Sequence, residues 1–537
     1  MNSENAVPEL AEPNLRALLA TAGLDVEYVR AEGNTLYRRS ETGGESVEIP
    51  VLDCAGGYGS LMFGHNHPEL LAVARRLLDD HTPVHAQFSS HPYANSLAAE
   101  LNRIVRRETG SEEWYFATFA NSGAEAVEAA VKHAELDRVL RLAELTEKIE
   151  ATGDQVRAAV DSGAAVLPDE VLTRLGVERP AGTGAAGGAD AVEAALAKIT
   201  EENARLRAKA PVFLALEGGF HGKLMGSVQL THNAGYREPF AALGVRTRFV
   251  PDGRPEALEE ILKEEGATLL QLVVEDGLVR VVEHPHPVFC AFLVEPIQGE
   301  GGIRPLSKEL ARSIQAFGEA ADCPVVIDEV QSGMGRTGAL LASSHLGLRG
   351  DYYALAKSLG GGLAKASVML VRESRYRPQF ELVHSSTFAK DSFSCHIALK
   401  VLELLEADDG RAYRQATERG AALHGALERV RAAFPDVVKD VRGKGLMLGF
   451  EFQDQSLADD ETIAGAAGTG MFGYVIAGHL LHAHGIRTFP TASATNTLRF
   501  EPSVLLTDDE IGRIEKALTD ACEILRAQAS DRLVTSS

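Results

Sequence analysis

Three short apolar runs in the middle of the chain, 211–216 (PVFLAL), 291–294 (AFLV) and 324–327 (PVVI), each pass directly into polar or glycine-rich residues. A continuous apolar run has no polar face to offer water, so each reads as a strand covered on both sides. Such strands belong to parallel sheets wrapped by helices, and ligands collect beyond their carboxyl ends. The chain therefore reads as an α/β protein with a mostly parallel central sheet. Near Ser385 the pattern turns helix-rich: amphipathic stretches at 395–407 and 412–434 lead into an apolar run at 446–452. This predicts a large domain over 71–384 and a smaller α+β domain built from 1–70 and 385–537. Residues 136–210 stand apart, rich in Ala, Glu, Leu and Arg and broken by a glycine-rich run at 182–188 (GTGAAGG). Their periodicity predicts a helical insertion of two pieces joined by a flexible linker.

Bulk properties narrow the function. With 537 residues the chain exceeds a single small core. Its formal net charge of −23 repels phosphate backbones, which argues against nucleic acid as a partner. The first residues are polar and acidic, and no apolar stretch is long enough for a bilayer, so no membrane role is expected. Five scattered cysteines without a CxxC pair fit reduced thiols, and a cytoplasmic location is expected.

Several segments carry residue types suited to chemistry. Lys357, in 351–362 (DYYALAKSLGGG), lies between an apolar run and three glycines. Desolvation there lowers an amine's proton affinity and makes it a Schiff-base nucleophile, while the bland alternative is a lysine snorkelling from a strand end. Asp328 and Glu329 end the run in 324–338 (PVVIDEVQSGMGRTG). Asp328 suits a protonated pyridine nitrogen, with magnesium binding or helix capping as alternatives. Ser122 and Glu125, in 119–128 (FANSGAEAVE), form a capping box, and the same helix start offers free amides to a phosphate. In 217–223 (EGGFHGK), Phe220 is either a stacking ring or a core side chain. Arg499, in 498–502 (LRFEP), offers the fork that matches a carboxylate, or else a surface salt bridge. Glu295 and Glu300, in 295–302 (EPIQGEGG), read on their own as solvated loop carboxylates.

Taken together and in this order, the motifs resemble the class III, or ornithine-aminotransferase-like, family of pyridoxal-phosphate (PLP) enzymes of fold type I. The resemblance spans residues 51–502 apart from 136–210, and is strongest in DEVQSGMGRTG with Lys357 downstream of it. It implies PLP as cofactor, held as an aldimine on Lys357, which then moves the proton between Cα and the cofactor. It implies Asp328 at the pyridine nitrogen, Gln331 near the ring hydroxyl, and Ser122, Gly123 and Ala124 at the phosphate. Phe220 and His221 fall on the ring face, with Glu295 among the cofactor-binding residues. Ser386 and Thr387, in 384–388 (HSSTF), match a segment that reaches the phosphate of a neighbouring subunit, which implies a homodimer with a shared site. Read without the resemblance, that run is an ordinary turn. Tyr58, Glu300 and Arg499 fall on the substrate side, Arg499 for an α-carboxylate and Glu300 to pair with it when the donor lacks one. His65 and His67, in 55–68, belong to the same family loop, so no metal is expected.

The implied reaction moves an amino group from an amino acid or amine donor to a keto acid or aldehyde. A lyase or carbon–carbon bond-forming enzyme, working by elimination, replacement or decarboxylation, uses the same site and is the alternative. Two departures stand out: the insertion at 136–210, and 389–395 (AKDSFSC), where many relatives carry a Gly-Asn-Pro type sequence.

Overall fold

A computed structural model of the chain describes residues 10–42, 45–86, 89–179 and 188–534. Its centre is a seven-stranded sheet: β1 (Tyr115–Ala120), β2 (Val212–Leu216), β3 (Thr247–Val250), β4 (Phe289–Val294), β5 (Val325–Asp328), β6 (Tyr352–Leu355) and β7 (Ser367–Arg372), in the spatial order β1-β7-β6-β5-β4-β2-β3. All pairings from β6 to β3 are parallel, while β7 runs antiparallel to both β6 and β1. The three apolar runs are β2, β4 and β5, and every residue of these strands is buried. Register decides what meets at the sheet's edge. Ile327 pairs with Val294 and with Tyr353, so Glu295 and Asp328, each the next residue along, emerge side by side.

Smaller sheets flank this one. Strands Tyr28–Glu32, Thr35–Thr42 and Glu45–Asp53 form an antiparallel meander, and Ile486–Arg487 joins its last strand in parallel. A second four-stranded sheet holds Val438–Lys444, Met447–Phe452, Thr497–Phe500 and Phe489–Pro490. The amphipathic stretches at 395–407 and 412–434 form one long helical element, Ser392–Ala433. It breaks at Ala407–Gly410, where Asp408, Asp409 and Gly410 all take positive φ. Its start is capped by Asp391, whose Oδ1 accepts the Ser394 N–H at 2.8 Å. The unusual 389–395 sequence thus supplies a helix cap.

The insertion is richer than its sequence pattern predicted. The helix that opens at Gly123 runs unbroken to Asp161, and Asp169–Leu175 and Gly188–Arg207 follow it. A hairpin of Thr268–Glu275 and Leu278–Pro285 packs against them, and Leu272 and Val279 enter a separate core with Val156, Leu172, Val192 and Ile199. The hairpin was not foreseen, because nothing local ties its alternating residues to helices so far upstream. Of the expected glycine linker, residues 182–187 lie outside the described residues, and Gly188 begins a helix. Among the described residues no single helix is long and apolar enough to cross a membrane.

Candidate active site

The carboxyl ends of β2, β4, β5 and β6 meet at one place, and each delivers part of the site. Beyond β6 comes Lys357, which takes a left-handed φ of 48°. That conformation is costly for a residue with a side chain and is kept where the surroundings enforce it. Its neighbours Ala356 and Ser358 are buried, and Ser358 Oγ donates to the Gly59 carbonyl at 2.7 Å. The Lys357 amine has no hydrogen-bond partner among the described residues. Burial pushes its pKa below the ordinary lysine value, against Glu501 and Glu300, which hold it up.

Asp328, at the end of β5, is buried and has both oxygens engaged. Oδ2 lies 2.8 Å from His221 Nδ1, and Oδ1 accepts the Val330 N–H at 3.1 Å. A carboxylate only accepts, so the imidazole donates through Nδ1. Burial pushes the His221 pKa down, but Asp328, with Glu295 behind it, outweighs this and holds it above its ordinary value. Glu295 itself is buried and pushed well up by desolvation, while its oxygens accept from Phe220 N at 2.8 Å and Gly299 N at 3.0 Å. The solvated-loop reading of Glu295 therefore fails. The carboxylate fixes the backbone of two loops. Glu329 is fully buried, accepts from Ser332 Oγ at 2.6 Å and Ser343 N at 2.7 Å, and is pushed up to about 7 by its burial.

The cradle lies beyond β1. Ser122 caps the helix, its Oγ accepting the Glu125 N–H at 3.3 Å, and Glu125 reaches back to the Asn121 N–H at 2.7 Å. Ser122 is exposed at the helix start, and the amides of this first turn have no helical acceptor. A Cβ on Gly123 would lie 2.5 Å from Val330 Cγ1, so only glycine lets helix and β5 approach this closely. The 217–227 loop is pinned to the same helix by Glu128, which accepts from Gly226 N at 2.9 Å and Ser227 N at 2.8 Å. Ser386 Oγ accepts from Asn121 Nδ2 at 2.7 Å, so within one chain Ser386, followed by Thr387, stands at the rim of that chain's own cradle.

On the substrate side, Arg499 is buried, which overturns the surface salt-bridge reading. Its guanidinium grips Glu300 with two bonds, Nη1 to Oε1 at 2.7 Å and Nη2 to Oε2 at 2.5 Å. Although burial pushes the Glu300 carboxyl up, Arg499 prevails and holds it below the ordinary range, so this acid is not a solvated loop carboxylate either. Tyr58 has φ 56°, stacks on Phe489 with centroids 5.9 Å apart, and lies 4.7 Å beneath the Arg499 guanidinium. Phe220 meets Tyr236 edge to face, and Lys223 Nζ sits 4.1 Å over the Tyr236 ring. Tyr236 and Tyr474 both feel the Glu300 charge, which adds to burial in raising their pKa values.

Sequence reasoning missed several members. Asn121 and Glu501 lie inside motifs that were singled out, and an acid beside a buried strand was the available signal for Glu501. Tyr236, Tyr474 and Phe489 carried no signal, since their contacts form only in three dimensions. Arg336 is buried and donates to the carbonyls of Leu446, Glu501 and Pro502 at 2.9, 3.0 and 3.0 Å, tying the two sheets together.

His65 Nε2 lies 2.9 Å from Asp53 Oδ2, and His67 packs on Phe63. Elsewhere among the described residues, His479, His484 and Asp520 converge closely enough for a metal. His479 Nδ1, however, accepts the Val534 N–H at 3.1 Å. The neutral ring's proton is then on Nε2, facing Asp520 at 3.1 Å, where a metal would need the lone pair.

An unpartnered amine, a doubly held buried aspartate, a helix-start cradle and glycines that let backbone approach fit the aldehyde, pyridine nitrogen and phosphate of PLP. Fold and site together define a PLP-dependent enzyme of fold type I. The chain belongs to the class-III aminotransferase family, whose model matches residues 21–149 and 169–522. Its reaction is PLP-dependent transfer of an amino group from a donor to a keto acid acceptor. Among solved structures it is similar to the ornithine aminotransferase of Toxoplasma gondii, at 20% identity over 98% of this chain and 92% of that one, with TM-score 0.64; that structure holds PLP at partial occupancy. It is similar also to ornithine δ-aminotransferase of Plasmodium falciparum (19%, 98% and 96%, TM-score 0.60). A third is N-acetylornithine aminotransferase of Stenotrophomonas maltophilia (22%, 95% and 99%, TM-score 0.58). At these identities the likeness establishes the fold.

Proposed function

We propose that the chain works as a cytoplasmic homodimeric aminotransferase in which Lys357 carries the cofactor and Arg499 receives the donor's carboxylate. The observation that carries this reading is the Lys357 amine, unpartnered and desolvated at the end of β6, on the side of the sheet where Asp328 also emerges. When bound, PLP supplies an electron sink for the bond broken at the donor's Cα. Lys357 Nζ takes the Cα proton, and burial, by lowering its proton affinity, leaves more of the amine in the free form that can do so. Asp328, held by His221 and the Val330 amide, keeps the proton on the pyridine nitrogen. Gln331 would serve the ring hydroxyl, Phe220 the ring face, and Ser122, Gly123 and Ala124 the phosphate. A donor with an α-carboxylate displaces Glu300 from Arg499, and one without it leaves the pair closed, so Glu300, Arg499 and Tyr58 select the donor.

Exposed Leu382, Val383 and Phe388 flank Ser386. Such an apolar rim supports a second copy seated there, which would bring Ser386, bonded to Asn121 of its own chain, and Thr387 to the seam between the two cradles. Five free, buried cysteines support a reducing compartment. On this reading residues 71–384 form the large domain, and 1–70 with 385–537 the small one.

The test is a visible spectrum of purified protein before and after a panel of amino donors, with Lys357→Ala alongside. The expected result is a cofactor band that donor addition removes with release of keto acid, and no such band in the variant. Elimination products or carbon dioxide in place of keto acid would select the lyase alternative. No band after adding PLP would refute both.

A further inference from the structure

Glu501 is the most unusual acid in the site. It follows the strand Thr497–Phe500 and is fully buried, yet one of its two oxygens, Oε2, has no hydrogen-bond partner among the described residues. A carboxylate buried in that state is costly unless cations surround it. Here they do: Arg499 Nη1 lies 3.9 Å from Oε2, and Arg336 donates to the Glu501 carbonyl at 3.0 Å. The other oxygen, Oε1, accepts from Gln331 Nε2 at 2.8 Å. A Cβ on Gly59 would lie 3.4 Å from both Oε1 and Arg336 Nε, so the loop under Lys357 closes directly onto this group.

We infer that Glu501 is a positioning residue for both the Lys357 amine and the Gln331 amide, with its unpartnered Oε2 as the acceptor set aside for the amine. Two physical consequences follow. An ionised carboxylate accepts and never donates, so it fixes which end of the Gln331 amide carries the N–H groups. The second N–H of Gln331 is then left to donate to the ring hydroxyl. The charge on Oε2 meanwhile offsets the burial of Lys357. The charged groups facing that amine are Glu501, Glu300, Arg499 and Asp328, and Glu501 outweighs Glu300 among those that hold the proton on. Glu501 therefore limits how far desolvation can strip Lys357 of its proton.

This inference rests on the proposed role of Lys357, and its test avoids turnover. In cofactor-free protein, trace acetic anhydride labelling is followed by mass spectrometry at Lys357 across pH, for wild type, Glu501→Gln and Glu501→Asp. Glu501→Gln is expected to shift the Lys357 labelling curve down by about one pH unit or more, which is about tenfold faster labelling below the midpoint. Glu501→Asp, with its charge drawn back by one methylene, falls between the two, and carries the test if the glutamine variant does not fold. A labelling curve that is unmoved or moves upward in either variant, with melting temperature alone affected, would reduce Glu501 to a structural group and overturn the inference. Failure of the proposed function is separate: it appears as wild-type protein that retains no PLP on Lys357 after borohydride reduction.

Discussion

Gly123→Ala tests the cradle with the smallest possible perturbation. The added methyl would lie 2.5 Å from Val330 Cγ1 and 3.0 Å from Cγ2. Valine is stiff at χ1 and sits directly after the buried pair at the end of β5, so helix and strand must part. Overpacking of this kind costs about 2–3 kcal/mol, the upper part of its usual range, because the contact is far inside normal separation. Replacing glycine by alanine within a helix returns about 0.5–1 kcal/mol. The net loss is about 1–2.5 kcal/mol, and it falls on the turn proposed to hold the phosphate, so PLP should bind about 5–70-fold more weakly. Spectral titration of cofactor-free protein reads the affinity, and calorimetry reads the stability. Val330→Ala removes both clashing methyls, so the double variant should recover the affinity of Val330→Ala alone. Wild-type affinity in Gly123→Ala, or a double variant no better than Gly123→Ala, would refute the close-packing account.

Other outcomes follow from the same geometry. Glu329, raised to about 7 by burial, stays protonated in the folded chain while the unfolded chain ionises near 4.3, so it costs stability as pH rises between those values. Glu329→Gln should match wild type at pH 4 and exceed it at pH 8, by about 4 kcal/mol at most, in denaturant melts at both pH values. Arg499→Lys replaces a two-pronged grip with a point charge and should raise KM for α-amino acid donors about tenfold, with kcat changed less, in steady-state assays. Leu272→Ala should weaken the insertion's core by about 2–4 kcal/mol. Hydrogen exchange should then rise over 140–179, 188–205 and 268–285 while the cofactor spectrum is unchanged.

Much of the candidate site was legible because buried strands must end in something, and what ends them here is polar. Asp328 and Glu295 follow apolar runs so closely that register alone brings them side by side. Ser122 and Glu125 announced a helix start, and the helix Gly123–Asp161 opens there. Illegible were the side chains whose meaning depends on distant partners. Glu295 and Glu300 look like loop acids in sequence, and only the fold supplies the amides and the guanidinium that account for their burial. His221 gave no local sign of its bond to Asp328, a partner far along the chain. The hairpin at 268–285 escaped for the same reason: its helical cover lies far upstream in the chain.

The helix Gly123–Asp161 has a consequence for synthesis. With 39 residues it spans about 58 Å, from the cradle to the core of the insertion. Val156, near its far end, is covered by Leu172, Ile199 and residues of the late hairpin, while its first turns pack on β7. A ribosome makes Leu172 and Ile199 soon after this helix, but the hairpin and β7 only much later. The nascent chain must therefore carry an apolar stripe in water at both ends of the rod, and that interval is when this protein is most exposed to aggregation.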